Sequence, residues 1–359
     1  MRVLLLSNMY PSSADPGYGS FVSRQQHRLT SDHGVEFSLV VSARRGGGWA
    51  NVGKYARLLG STIVATLRGD YDIVHAHYLL PSAAFALLPA LARHRPLVIT
   101  AHGTDVYTGQ RPFWKGLVTR ALRRAHRVIV VSDFLGRELE AGYGIQPRGG
   151  VLVSDMGVDT ALFTPGDRDA ARRTRGLPDG VPHVLFVGNL VETKGVADLA
   201  TALVSLAARK TGFRATFVGG GPMLAELQRI TGPIRDSVTF AGVLPHHALV
   251  DVFRSADLFV LPSHREGLGL VCLEALACGV PVVAVRTGGI PEIIADGVNG
   301  VLVEPGDRVA LADALERLLG DATLRSRLAA AARATALEHD EAVQAARVAQ
   351  VYADALGSG

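Results

Sequence analysis

Short apolar runs alternate with longer amphipathic stretches along the whole chain. In the first half these runs read as buried strands near 2–7, 36–42, 72–77, 97–101, 127–132 and 151–154. In the second half they fall near 183–188, 214–219, 238–241, 258–262, 281–285 and 300–303. The run Leu258-Phe259-Val260-Leu261 is apolar at every position, as suits a strand buried on both faces. Parallel strands need crossovers, and the intervening stretches have helical periodicity. The pattern therefore predicts an α/β protein. The rhythm breaks at Phe163-Thr164-Pro165-Gly166-Asp167 and in the polar stretch 167–181, predicting domains at 1–165 and 166–340. Two such α/β halves would enclose a cleft, and open α/β sheets bind ligands at strand carboxyl ends. The tail 307–357 is rich in Ala, Leu and Arg and reads as helical, with no internal repeat.

Composition adds bounds to this picture. A chain of 359 residues with 48% hydrophobic content can fill two ordinary cores, and 40 glycines suit many tight strand-to-helix turns. The net charge of +4 conceals an asymmetry. Residues 1–165 carry 18 Lys/Arg against 11 Asp/Glu, while the rest carries 19 against 22. A basic first half points to acidic partners, either an anionic membrane face or a phosphate-bearing substrate. Nucleic acid is not expected, since no recognised binding motif is present. Cys272 and Cys278 suggest small buried residues rather than a disulfide framework, which fits a reducing cytoplasm. The start Met1-Arg2-Val3-Leu4-Leu5-Leu6-Ser7-Asn8 reads as a first strand rather than a signal peptide, and no transmembrane run is visible.

Candidate chemistry gathers where strands give way to helices. Glu266 and Glu274 bracket a glycine-bearing turn, Glu266-Gly267-Leu268-Gly269-Leu270, that leads into a helix. Helix starts attract anions, and this spacing predicts Glu274 two turns into the helix, roughly 12 Å along its axis. Two ionised carboxylates match vicinal diols. Gly188-Asn189-Leu190-Val191-Glu192-Thr193-Lys194-Gly195 has the same strand-to-helix context, and Lys194 near a helix start suits a phosphate. His102 ends the strand at 97–101, while His75 and His77 alternate on another and read as strand-end packing and acceptor contacts. The segment Pro16-Gly17-Tyr18-Gly19-Ser20 follows the first strand and lacks a full dinucleotide fingerprint. Asp70-Tyr71-Asp72 and Asp167-Arg168-Asp169 are poorly placed for a metal, and helix capping explains the second. No metal site is expected. Residues 111–127 form a basic amphipathic stretch with Phe113, Trp114, Leu117 and Leu122, suited either to docking on the sheet or to lying on an anionic bilayer.

Taken in order, Ala256-Asp257, Pro262-Ser263, the paired glutamates, Ala277-x-Gly279-x-Pro281-Val282-Val283, Gly288-Gly289-x-Pro291-Glu292 and Asp296-Gly297-x-x-Gly300 resemble the family 4 retaining glycosyltransferases. The resemblance runs nearly end to end. It implies the GT-B fold, two facing Rossmann-like domains with an interdomain cleft, and a closing helix at about 341–357 that packs back on the first. It implies transfer of a sugar from a nucleoside diphosphate sugar to an acceptor hydroxyl, without a metal. The acceptor would be a sugar, a lipid-linked or a small molecule, in cell-surface polysaccharide, glycolipid or glycoside biosynthesis. Glu266, His102 and Lys194 take catalytic roles in this reading, Glu266 on the donor sugar and Lys194 on the diphosphate. Donor contacts are implied for Gly17, Gly19, Gly188, Asn189, Lys194, Val243, Leu244, Gly267, Leu268, Gly269, Leu270 and Glu274, with Glu274 on the ribose and Val243-Leu244 beside the base. The family usually carries arginine at the position of Asn189. Either Lys194 and backbone amides suffice without it, or another cation such as Arg265 assists. A sugar-nucleotide epimerase of the same architecture and a non-catalytic nucleotide-sugar binding protein are the competing readings.

Overall fold

A computed structural model describes residues 1–15, 17–43 and 50–357. Two compact units emerge, one of residues 1–156 with 341–359 and one of residues 157–340. The division falls nine residues before the expected boundary at 165, and side chains explain the correction. Phe163 is fully buried in the second unit, its ring 5.9 Å from that of Phe253. Arg333 donates to the carbonyls of Thr160 (2.8 Å) and Phe163 (2.6 Å), so the stretch before Pro165 already belongs to that unit.

The first unit holds β1 (Arg2–Ser7), β2 (Glu36–Val41), β3 (Ile73–His77), β4 (Leu97–Ala101), β5 (Arg127–Val130) and β6 (Val151–Val153). All pair in parallel in the order β2-β1-β3-β4-β5-β6. Parallel pairing forces each return through a crossover, here mostly helices such as Ser20–His33, Ala50–Arg68 and Pro112–Arg124. Strands β3 and β4 are buried along their whole length. Val3, Ile73, Val98 and Ile129 form a core with Leu29 and with Val348, Val351 and Tyr352 of the last helix, Glu341–Gly357. That helix is tied to the unit by Arg28, which donates to Glu341 at 2.8 Å, and by Ser154, which donates to Gln344 at 2.9 Å.

The second unit holds β7 (His183–Val187), β8 (Arg214–Val218), β9 (Val238–Gly242), β10 (Leu258–Leu261), β11 (Val282–Val285) and β12 (Gly300–Val303). Their order is β12-β11-β10-β7-β8-β9, again all parallel. Asp257 is buried just before β10 and accepts from the His183 amide at 2.7 Å and from Arg168 at 2.8 Å, with Arg172 also paired to it. In this sheet the strand order reverses between β7 and β10; in the first it reverses between β1 and β3. Such switch points open a crevice at the strand carboxyl ends. Among the described residues no helix is long and apolar enough to cross a membrane.

Candidate functional site

The loops that follow β7 and β10 are fastened together at the second sheet's switch point. His264 donates its amide to the Thr193 carbonyl at 2.9 Å. Gly195 adopts a left-handed φ of 63°, and a Cβ there would lie 1.9 Å from the Pro262 carbonyl oxygen, so only glycine permits this approach. The result is an ion pair, Lys194 Nζ to Glu266 Oε2, at 2.5 Å. Ser263 donates to the same oxygen at 3.3 Å. Gly288, with φ 58°, backs the pair from behind: a Cβ there would sit 1.7 Å from the Glu266 carbonyl oxygen. With side-chain exposures of 26% for Lys194 and 15% for Glu266, solvent screens this pair less than a surface pair. Asp198, in the first turn of helix Val196–Ala208, accepts from His264 at 2.6 Å and from Arg308 at 2.5 Å, holding the loop after β10 from the side.

Glu266 lies in the loop itself, and the following helix is Leu270–Ala277, entered through Gly269. Glu274 is its fifth residue, little more than one turn from the helix start. The expected two-turn separation is therefore corrected: glycines at 267 and 269 keep the chain out of the helix for another turn. Gly267 and Leu270 are half-buried, and Leu268 and Gly269 are buried, directly ahead of the positive end of the helix dipole. Gly188 is half-buried and Asn189 exposed, both just beyond β7. Glu274 is nearly buried, and its Oε1 lies 2.8 Å from Nε2 of His246. The His246 ring packs edge-on to Phe163 at 5.0 Å. His246 follows the loop 243–245, where Val243 is 79% exposed and Leu244 half-buried, so Glu274 is linked to the segment expected to read the base.

In the first unit, Gly17 is exposed and Gly19 buried ahead of helix Ser20–His33; Pro16 lies outside the described residues. Tyr18, between the glycines, accepts from Lys54 at 2.9 Å, and burial lowers the Lys54 ammonium from its ordinary value. His102 follows β4, with the rings of Tyr78 at 4.5 Å and Phe21 at 5.1 Å. Asp105 accepts from the amides of Gly103 (2.8 Å), Leu79 (3.0 Å) and His102 (3.1 Å), stitching the exits of β3 and β4 together. Burial raises its carboxyl despite those three donors. Burial likewise pushes His102 well below the ordinary imidazole range, with His77 adding to the effect, and His77 itself falls to about 3. These imidazoles are neutral at pH 7.

The candidate residues thus fall into two sets, Lys194, Glu266, Glu274 and the flanking loops in one unit, and Gly17, Gly19 and His102 in the other. His246, Asp198 and Asp105 are not among the residues singled out from sequence. Asp105 and Asp198 each stand in the first turn of a helix, a position that signals an N-terminal role. His246 gives no such signal, being 28 positions from its partner. Asp70 and Asp72 pair with Arg2, and Asp167 caps helix Arg168–Thr174 by accepting from Ala170 at 2.9 Å. Among the described residues, no three His, Cys, Asp or Glu side chains gather as metal ligands. In helix Pro112–Arg124, Val118, Ala121 and Leu122 are buried, whereas Phe113 is 83% exposed and Trp114 and Leu117 also face outward.

Comparison with known proteins agrees with this architecture. The family described as "Glycosyl transferases group 1" matches residues 167–335, and "Glycosyltransferase Family 4" matches residues 16–162. The chain is 36% identical to a D-inositol 3-phosphate glycosyltransferase of Acidothermus cellulolyticus over 80% of its own length and 68% of the relative's. It is also 36% identical to D-inositol 3-phosphate glycosyltransferase 1 of Catenulispora acidiphila, over 86% and 78%. Among solved structures, sucrose-phosphate synthase from Thermosynechococcus elongatus superposes with a TM-score of 0.83 at 22% identity, covering 100% of both chains. The HepE protein of Anabaena, in complex with UDP-glucose, gives 0.79 at 22% identity, covering 99% of this chain and 100% of that one. The chain has the GT-B fold and belongs to the family 4, group 1 glycosyltransferases.

Proposed function

We propose that this glycosyltransferase moves a sugar from a nucleoside diphosphate sugar to an acceptor hydroxyl with retention of anomeric configuration. The observation that carries the reading is the Lys194–Glu266 pair at the switch point of the second sheet, beside a helix start. An ammonium has three donors, so Lys194 can keep Glu266 and still bond a phosphate oxygen. Lys194 and the helix start stabilise the leaving diphosphate without a metal. Glu266 accepts from donor-sugar hydroxyls and Glu274 from the ribose. Neutral His102 is a candidate hydrogen-bond donor to the reacting sugar. The leaving phosphate oxygen takes the acceptor's proton as the new glycosidic bond forms on the face the diphosphate leaves.

The names of the relatives make a phosphorylated inositol the first acceptor to test. The deciding experiment is a transfer assay in EDTA with GDP-mannose, UDP-glucose and UDP-N-acetylglucosamine, the anomeric configuration of the product being read by NMR. A retained configuration in EDTA is expected; inversion, or strict dependence on an added divalent ion, would overturn the reading. A second feature supports reversible contact with an anionic bilayer. Phe113, Trp114 and Leu117 are exposed on a helix that also carries Lys115, Arg120 and Arg123. Co-sedimentation with anionic but not neutral vesicles at low salt is expected, and equal, negligible pelleting with both would remove this proposal.

A further inference from the structure

Three imidazoles stand in a row where β3 and β4 end. The ring centroids of His75 and His77 are 4.4 Å apart, and those of His77 and His102 are 5.3 Å apart with the ring planes within 20° of each other. His75 is fully used: Nδ1 meets the Tyr352 hydroxyl at 2.6 Å and Nε2 the Thr100 hydroxyl at 2.8 Å. His77 is not. Its Nδ1 lies 3.1 Å from His102 Nε2, and its Nε2 is buried with no partner among the described residues.

A hydrogen bond between two imidazole nitrogens needs one N–H and one lone pair. Two neutral rings offer two arrangements. In one, His77 donates from Nδ1, His102 accepts at Nε2, and the unused nitrogen of His77 is a lone pair. In the other, His102 donates from Nε2, and His77 must bury an N–H on Nε2 that reaches no acceptor. Orphaned buried donors are the rarer outcome in folded proteins. The geometry points to the first arrangement: we propose that His77 is a positioning residue that fixes His102 in the tautomer with its proton on Nδ1. His102 then carries a neutral N–H donor on Nδ1, its ring held by the hydrogen bond to His77 and flanked by Tyr78 and Phe21. A donor at that nitrogen suits an oxygen that gains negative charge during transfer, and it is not a base. The catalytic consequence rests on the proposed role of His102.

Long-range ¹H–¹⁵N correlation spectra of the full chain labelled with ring-¹⁵N histidine read this tautomer directly, with His102→Gln supplying the assignment. His102 is expected to show a protonated Nδ1 and an unprotonated Nε2 at neutral pH. Protonation at Nε2 would overturn the proposal. His77→Phe keeps a ring but removes the donor, and is expected to erase the single-tautomer signature and lower kcat about tenfold with donor KM unchanged. His77→Asn places an amide N–H near the original Nδ1 and is expected to restore both. An unchanged tautomer and kcat in His77→Phe would also overturn the proposal; if that variant fails to fold, the native spectrum and His77→Asn still decide. Full transfer by His102→Ala would sink the reading of His102 as a reaction-site group, while a native Nδ1–H signature would still support the tautomer assignment.

Discussion

At the switch point of the second sheet, Lys194 and Glu266 face each other as ions 2.5 Å apart, and Glu274 leans on a histidine. Where β3 and β4 end in the first sheet, His77 and His102 lie 3.1 Å apart as neutral rings, and the nearby buried carboxyl, Asp105, is occupied by three backbone amides. Both edges rest on the same parallel α/β scaffold. The charged edge keeps its groups partly solvated. The neutral edge buries its groups, which fixes directions of hydrogen bonding at the expense of charge. For the proposed transfer, the first arrangement suits developing charge and the second a fixed hydrogen-bond direction.

That contrast can be broken at several points. The largest effect is expected from Gly288→Ala, which leaves every charged side chain in place but forces a methyl against the Glu266 carbonyl. Misplacing Glu266 by about 1 Å should cost about 10²-fold in kcat, read by steady-state assay beside a melting curve. Glu274→Gln should weaken donor binding about 10–100-fold, the worth of a charge-assisted hydrogen bond, with kcat little changed. Calorimetric titration with the nucleoside diphosphate checks this.

Acid should separate the two units next. His75, His77 and His102 titrate below their ordinary range in the first unit, and His183 falls to about 4 in the second. Because these folded-state values are depressed, the unfolded chain binds more protons between them and about 6.5, so stability is present above that range and lost as pH falls. Each contributes a slope of about 1.4 kcal/mol per pH unit. Asp105, raised in the fold, works in the opposite direction and offsets part of this. Hydrogen exchange at falling pH should therefore show the first unit losing protection before the second. The smallest effect is expected from Asn189→Arg. Adding a cation at this exposed position should lower donor KM about threefold, in the range of a surface ion pair, measured by initial rates.

The inner strands were legible because they are buried on both faces, unlike the edge strands β2, β6 and β9. Runs such as Leu258–Leu261 and Val282–Val285 have no polar position at which to hesitate. Lys194 and Glu266 were legible for a related reason: each sits where a strand hands over to a helix, and the fold brings adjacent strand ends together. The domain boundary was misplaced because Pro165-Gly166 marks a turn, whereas burial of Phe163 decides which core the chain has joined. His246 and the coupling of His77 to His102 were not legible at all. Each depends on which strand lies beside which, and composition carries no record of that. The turn count to Glu274 failed because a glycine pair delayed helix nucleation, a local effect that spacing alone does not reveal.

In the proposed reaction Lys194 and Glu266 act as one unit on the donor. This coupling is read from kcat for Lys194→Ala, Glu266→Gln and the double variant, all in EDTA with a saturating nucleoside diphosphate sugar. Each single variant is expected to lose at least about 10²-fold and the double variant to fall little further, as coupled groups do. Turnover by Lys194→Ala within about threefold of the unaltered protein would contradict it.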